Sequence, residues 1–175
     1  MAVKKLSQKI KMLLVLVAVV GGSLALQRWA NIEETIRVDG QTVSVIDGDS
    51  FKDATAEYRI YGIDAPEYRQ TCKDAENRDW PCGKSARTAL AEALRKGEHN
   101  CDVRARDQYG RMIVSCWTDD RDLGASLVEY GHAISSDNFD QVIYGREEAR
   151  AEKSKRGIWQ GSFEKPASWR ASHPR

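Results

Sequence analysis

Nine consecutive residues, Arg59-Ile60-Tyr61-Gly62-Ile63-Asp64-Ala65-Pro66-Glu67, place one guanidinium and two carboxylates at the end of an apolar-rich segment. Pro66 keeps Ala65 out of the helical region, so the stretch reads as a strand that delivers charge where it stops. Two further segments carry compatible groups: Asp47-Gly48-Asp49-Ser50, a tight turn by composition, and Asp107-Gln108-Tyr109-Gly110-Arg111. Asp49 and Asp64 fall at the ends of neighbouring strands and are hard oxygen donors suited to a cation such as calcium. Arg111 follows a glycine that permits positive φ, after which a strand would fix its direction. Arg59 and Arg111 facing a bound cation would be unfavourable unless an anion lay between them. A phosphate diester meets that condition, because guanidinium forks match its oxygens.

The elements that must position these groups follow from period and punctuation. Val43 and Val45 alternate with polar residues and predict a strand ending at Ile46. The chain returns through Ser50 to Lys52, turns again over 53–56 and enters the strand containing Arg59, which makes a three-strand meander. Parity then poses a problem: Arg59 and Asp64 project from opposite faces of a continuous strand. For both to serve one site the strand must bulge or end between them, and Gly62 is the expected place. Residues 68–81 read as polar and irregular. A helix is predicted over about 84–96, with Ala86, Leu90, Ala93 and Leu94 on one face and Gly97 as its stop. Residues 99–117 alternate on both sides of Asp107-Gly110 and read as a hairpin. Asp122 caps a short helix that turns Leu123, Leu127 and Tyr130 inward and closes at Gly131. A charged helix over about 140–155, with pairs such as Glu152 and Arg156, ends at Gly157, and Ile158 and Trp159 return to the core. This order predicts an α+β fold, a small five-stranded Greek-key barrel with about three packed helices.

The chain has 175 residues and a net charge of +1. Residues 1–30 hold five basic residues and no acid, so the remainder carries −4 and any basic surface on it is local. Lys4, Lys5, Lys9 and Lys11 precede the uncharged run 12–26, the pattern of an export signal. As a helix that run spans roughly 22 Å, short of the roughly 30 Å hydrocarbon core, which favours a signal peptide. Ser23-Leu24-Ala25 offers small residues for cleavage, while Arg28 and Trp29 would suit an uncleaved membrane anchor. The expected division is an export segment or anchor at 1–30, a folded domain at 31–165 that opens with a polar linker over 31–40, and a tail at 166–175. The expected location is periplasmic or secreted, with membrane contact only through the amino-terminal segment, and the favoured state is a monomer.

Export accounts for the four cysteines, Cys72, Cys82, Cys101 and Cys116, as two disulfides. None forms a C-x-x-C pair and no histidine lies at ligand spacing, so zinc is disfavoured. Folding the hairpin about Asp107-Gly110 sets Cys101 opposite Cys116, which leaves Cys72 with Cys82. His99, His132 and His173 are far apart with no nucleophile pattern near them, which argues against a serine hydrolase triad or a histidine-metal nuclease. The tryptophans read as packing residues.

Taken together, the segments 47–50, 59–67 and 107–111 resemble the three signature stretches of the thermonuclease family, the staphylococcal-nuclease-like domain. The resemblance continues through Leu127-Val128-Glu129-Tyr130-Gly131 and Gly157-Ile158-Trp159 and covers roughly residues 40–160. It implies an OB-fold and a calcium-dependent endonuclease that hydrolyses DNA or RNA phosphodiesters. It also implies roles. Asp49, Asp64 and the main-chain carbonyl of Ala65 would bind Ca2+, and Asp47 would hold calcium-bound water. Arg59 and Arg111 would bind phosphate and stabilise the transition state, Glu67 would activate or orient water, and Tyr109 would contact substrate. The tyrosine pair on which the family stacks a base is absent from His132-Ala133-Ile134-Ser135-Ser136. The alternative is a non-catalytic OB-type module of the cell envelope that binds nucleic acid or another polyanion.

Overall fold

The computed structural model describes residues 34–119, 121–136 and 143–174; the export-segment assignment and part of the helix expected over 140–155 lie outside them. The described chain is a mixed α+β structure. Its main sheet is a curled half-barrel built from β1 (Thr35–Asp39), β2 (Ser44–Val45), β3 (Ser50–Lys52), β4 (Glu57–Ile60), β8 (Glu98–Arg106) and β9 (Met112–Thr118), in the order β1-β8-β9-β4-β3-β2. A short β10 (Arg121–Asp122) pairs with β9. Two small ladders complete the strands: β5 (Ile63–Asp64) with β11 (Ile134–Ser135), and β6 (Cys72–Lys73) with β7 (Asp79–Trp80). The main sheet therefore has seven strands, where five were expected.

The meander β2-β3-β4 forms as the alternation requires, with Ser50 opposite Arg59 and Phe51 opposite Tyr58. The long hairpin β8-β9 forms about Asp107-Gly110, with Cys101 directly opposite Cys116. Both expected disulfides are present, Cys72–Cys82 and Cys101–Cys116. The decisive joint is a parallel pairing of β4 with β9, which sets Arg59 beside Ile113. It joins the meander to the hairpin and closes the main core, where Phe51, Ile60, Ile63, Leu90, Leu94 and Val114 are all almost fully buried.

Four α-helices occur among the described residues: α1 (Cys82–Leu94), α2 (Leu123–Glu129), α3 (Gly145–Lys153) and α4 (Pro166–Ser172). Ala86, Leu90 and Leu94 recur every fourth residue and bury one stripe of α1 in the main core. In α2, Asp122 accepts the Ala125 amide at 2.9 Å as the expected cap.

Five expectations need correction. The segment read as a polar linker contains β1, because Ile36 and Val38 alternate with polar residues and Val38 is buried against the main core. The stretch 68–81 is not wholly irregular, since β6 and β7 pair across it, Cys72 opposite Trp80. Tyr130 does not turn inward. It follows the last helical turn of α2, is 55% exposed, and lies under the Arg156 guanidinium. Arg156 itself reaches Glu129 instead of Glu152. Residues 166–175, expected as a tail, carry α4, which starts with Pro166 in its first turn.

The β6-β7 ladder and the 3-10 turn Gly157–Gln160 share a second, smaller core. Cys72, Cys82, Ile134 and Ile158 are buried there, with Trp80, Trp159 and Phe163 packed against them. The Lys73 amide donates to the Ser162 carbonyl at 2.8 Å and ties the carboxy-terminal segment to β6.

Because the two cysteines of β8 and β9 are separated by 15 positions, the loop-entropy model gives their disulfide about 3 kcal/mol. The double substitution Cys101→Ala/Cys116→Ala should lower unfolding stability by about that amount and leave the hairpin registered by its hydrogen bonds. Urea midpoints together with amide exchange over β8 and β9 measure both effects; an unchanged midpoint would contradict the assignment.

Candidate active site

The site is assembled where three chain segments stop against each other. In the turn 47–50, the Asp47 carboxylate accepts the Asp49 amide at 3.2 Å and the Ser50 hydroxyl, which turns the Asp49 side chain inward. Gly48 is required here by close approach. A Cβ at this position would lie 2.6 Å from the Ala86 Cβ and 2.7 Å from the Ala65 Cβ, inside any real contact distance. The absence of a side chain at 48, with small ones at 65 and 86, lets the turn sit down between α1 and the segment after β5.

Parity is resolved at Gly62. β4 ends at Ile60, Gly62 adopts φ +76°, and β5 begins at Ile63, so Asp64 is turned to the same side as Arg59. The Arg59 guanidinium then bridges both acids: Nη1 is 2.7 Å from Asp49 Oδ1 and Nη2 is 3.0 Å from Asp64 Oδ1. The second Asp49 oxygen accepts the Ala65 amide at 3.0 Å. Thus the structure engages the amide of Ala65 with Asp49. Both acids are buried, at 2% and 4% exposure.

Burial dominates the protonation of Asp49. It raises the carboxyl from the ordinary 3.8 to about 8, with Asp47 and Asp64 adding to the rise and Arg59 and the Ala65 amide opposing it. A buried carboxyl held this way gains from an additional cation. Two converging carboxylates of hard oxygen character fit a divalent ion of the calcium type. Among the described residues no group of three or more His, Cys, Asp or Glu side chains is arranged as a metal cluster. The fit therefore rests on Asp49 and Asp64.

Glu67 lies at the same place through a residue that sequence reasoning did not single out. Arg170 of α4 donates from Nη1 to Asp64 Oδ1 at 2.9 Å and to Glu67 Oε1 at 3.1 Å, and from Nη2 to Asp64 Oδ2 at 3.2 Å. Gln70, 1% exposed, holds the loop: its Oε1 accepts the Glu67 amide at 3.2 Å and its Nε2 donates to the Glu164 carbonyl at 2.7 Å. One buried amide side chain therefore fixes both the Glu67 backbone and the segment that leads into α4.

Arg111 stands slightly apart from the acid pair. Its Nε is 2.7 Å from Asp107 Oδ2 and its Nη1 is 3.9 Å from Glu57 Oε1. Burial opposes the ionisation of Asp107, but the Arg111 side chain and the Arg111 and Tyr109 amides hold its carboxyl below the ordinary value. Glu57 and Arg59 alternate onto one face of β4, so the contact with Glu57 puts Arg111 on the sheet face of Arg59, one pleat along. Tyr109 is 76% exposed with the Arg111 guanidinium 5.7 Å from its ring centre. A second exposed tyrosine, Tyr68, adjoins Glu67 and has Arg87 5.2 Å from its ring centre; Arg87 is itself anchored to the Val45 carbonyl at 2.9 Å. Adjacency to Glu67 was the available signal for Tyr68. For Arg170 no local signal exists.

A curled sheet with helices against it, carrying a buried acid pair bridged by arginine beside further guanidiniums, defines a small α+β protein with one cluster of carboxylates and guanidiniums. The chain matches the model of the staphylococcal nuclease homologue family over residues 57–161 and belongs to that family. It is 33% identical over 123 residues to the succinoglycan biosynthesis protein ExoI of Rhizobium meliloti (strain 1021), covering 69% of this chain and 64% of that protein. It is 31% identical over 114 residues to the probable staphylococcal-like nuclease CAN2 of Oryza sativa subsp. japonica, covering 64% of this chain and 28% of that one. With the probable endonuclease LCL3 of Scheffersomyces stipitis it shares 29% over 119 residues, 62% of this chain and 49% of the relative. The chain thus spans less than two thirds of the length of each of these relatives.

The raised Asp49 carboxyl has a consequence for stability. The unfolded chain loses this proton near the ordinary 3.8 and the folded chain keeps it to about 8. The contribution is therefore complete at low pH and is lost as pH rises through that window, at up to about 1.4 kcal/mol per pH unit. In chelator, Asp49→Asn should show a flatter stability profile than the wild type between pH 5 and 8, measured by urea midpoints. Parallel profiles would contradict the burial-driven shift.

Proposed function

We propose that the protein is a calcium-dependent nuclease that hydrolyses phosphodiester bonds of DNA or RNA and acts outside the cytosol. The observation that carries this reading is the junction of Asp49, Arg59, Asp64 and Glu67 in one small volume, drawn from two separate segments of the chain. Family membership supports the reaction class, and two relatives are named as a probable nuclease and a probable endonuclease. Two disulfides favour an oxidising compartment.

In this reading Asp49, Asp64 and the Ala65 carbonyl hold Ca2+, which when bound neutralises and polarises the diester. Asp47 fixes the turn that aims Asp49 and would hold water bound to the ion. Arg59 and Arg111, on one face of the sheet, receive the phosphate oxygens, where guanidinium forks stabilise the charge that builds as the phosphorus gains a fifth oxygen. Glu67 orients or deprotonates the attacking water. Tyr109 and Tyr68, exposed and each backed by an arginine, offer ring faces on which bases stack without regard to sequence. They take the part of the tyrosine pair that is absent after Gly131. The acidic folded part predicts weak, salt-sensitive capture of long nucleic acid.

A second reading is a non-catalytic, polyanion-binding envelope module. The ExoI relative favours it, being named a succinoglycan biosynthesis protein and not a nuclease.

Digestion of single- and double-stranded DNA with added calcium, and again with chelator, separates the two readings. Cleavage should require calcium. Glu67→Gln, which keeps the shape of the Arg170 contact, should lower turnover by at least a hundredfold with an unchanged urea midpoint. Wild-type turnover in that variant would remove Glu67 from the reaction, and inactivity of the wild type at every calcium concentration would favour the binding module.

A further inference from the structure

Arg170 lies beyond the family-matched segment, yet it makes the densest set of contacts with the acids. Asp64 accepts from three guanidinium nitrogens, Arg59 Nη2 and both Arg170 Nη atoms, and Arg170 Nη1 also spans to Glu67. These are the lone pairs that a cation held by Asp64 would use. Arg170 is also the outermost of the groups, its side chain 36% exposed against 5% for Asp64 and 13% for Glu67. It therefore covers the acids from the solvent side. Its approach is built in by Gln70, which links the Glu67 backbone to Glu164, and by the second core that anchors residues 157–163.

Charge counting gives the direction. Asp64 and Glu67, the two acids that Arg170 touches, bring two negative charges, which one divalent ion would match. Arg170 offsets one of them before any ion arrives. A divalent ion entering beside it meets both repulsion and competition for Asp64 oxygens.

We propose that Arg170 is a positioning residue that stands in for the divalent cation at Asp64 and Glu67, and that it sets the concentration at which that cation binds. In the metal-free protein it holds the two acids together. On cation binding its fork gives up Asp64 and is left beside Glu67, on the open side of the site where a phosphate arrives. The inference rests on the calcium site proposed above.

The test is calcium binding to the full chain, measured by isothermal titration calorimetry on metal-free wild type, Arg170→Ala and Arg170→Gln. Both variants should bind calcium at least tenfold more tightly than the wild type. In chelator, Arg170→Ala should have a lower urea midpoint, and saturating calcium should raise that midpoint more than it raises the wild type's. If Arg170→Ala fails to fold without calcium, Arg170→Gln carries the comparison, since it keeps a hydrogen-bonding amide and removes only the charge. Equal or weaker calcium binding by the variants would overturn the inference while leaving the calcium site intact. Absence of calcium binding in all three proteins would overturn both.

Discussion

The structure depends on one arrangement: a single guanidinium, Arg59, shared between two buried carboxylates, Asp49 and Asp64. Removing two carboxyl groups from water is tolerable only where positive charge and amide donors meet them. Arg59 supplies the first and the Ala65 amide the second. Much of the surrounding chain serves this juxtaposition. Gly48 lets the turn of Asp49 descend onto Ala65 and Ala86, Gly62 reverses the parity that would keep Asp64 from Arg59, and the β4-β9 pairing holds Arg59 in register beneath both. The same pairing brings Arg111 to the face that Arg59 occupies.

Two cores divide the mechanical work. The main core fixes the sheet and α1, and so fixes Asp49, Arg59 and Asp64. The second core, around Cys72, Cys82, Ile134 and Ile158, has no site residue of its own but anchors the segment that delivers Arg170. Gln70 stands at the seam. It is buried and fully engaged, with its side chain on Glu67 and Glu164 and its backbone on Glu67 and Gly83. A buried amide satisfied in this way is costly to alter and fixes geometry well. The loop carrying Glu67 is accordingly held from several sides, which suits the role in orienting water proposed for it.

Much of this was legible in the residues. The turn at 47–50, the meander, the α1 stripe, the hairpin about Asp107-Gly110, the Asp122 cap and both disulfide pairings follow from short-range rules of period, turn chemistry and chain reversal. The break at Gly62 followed from a contradiction in parity, which only a glycine or a bulge resolves. The failures have equally specific causes. β1 looked polar because its alternation is brief and its partner lies over sixty residues away in β8. Tyr130 looked like a core residue because the helical period was extended one position past the true end of α2. The two-residue strands β6 and β7 are too short to carry a period at all.

The sequence by itself determined which chemistry is present: carboxylates and arginines at the ends of strands, glycines where the backbone must turn, and cysteines placed to cross-link. These are properties of types and spacings over a few residues, and local sterics reads them directly. Only the tertiary structure decided which charges share an oxygen. Arg170 reaches Asp64 across 106 positions, a contact produced by the packing of Trp159, Phe163 and Gln70 and not by any spacing along the chain. Burial acts the same way on Asp49, whose proton affinity depends on how completely the assembled fold excludes water.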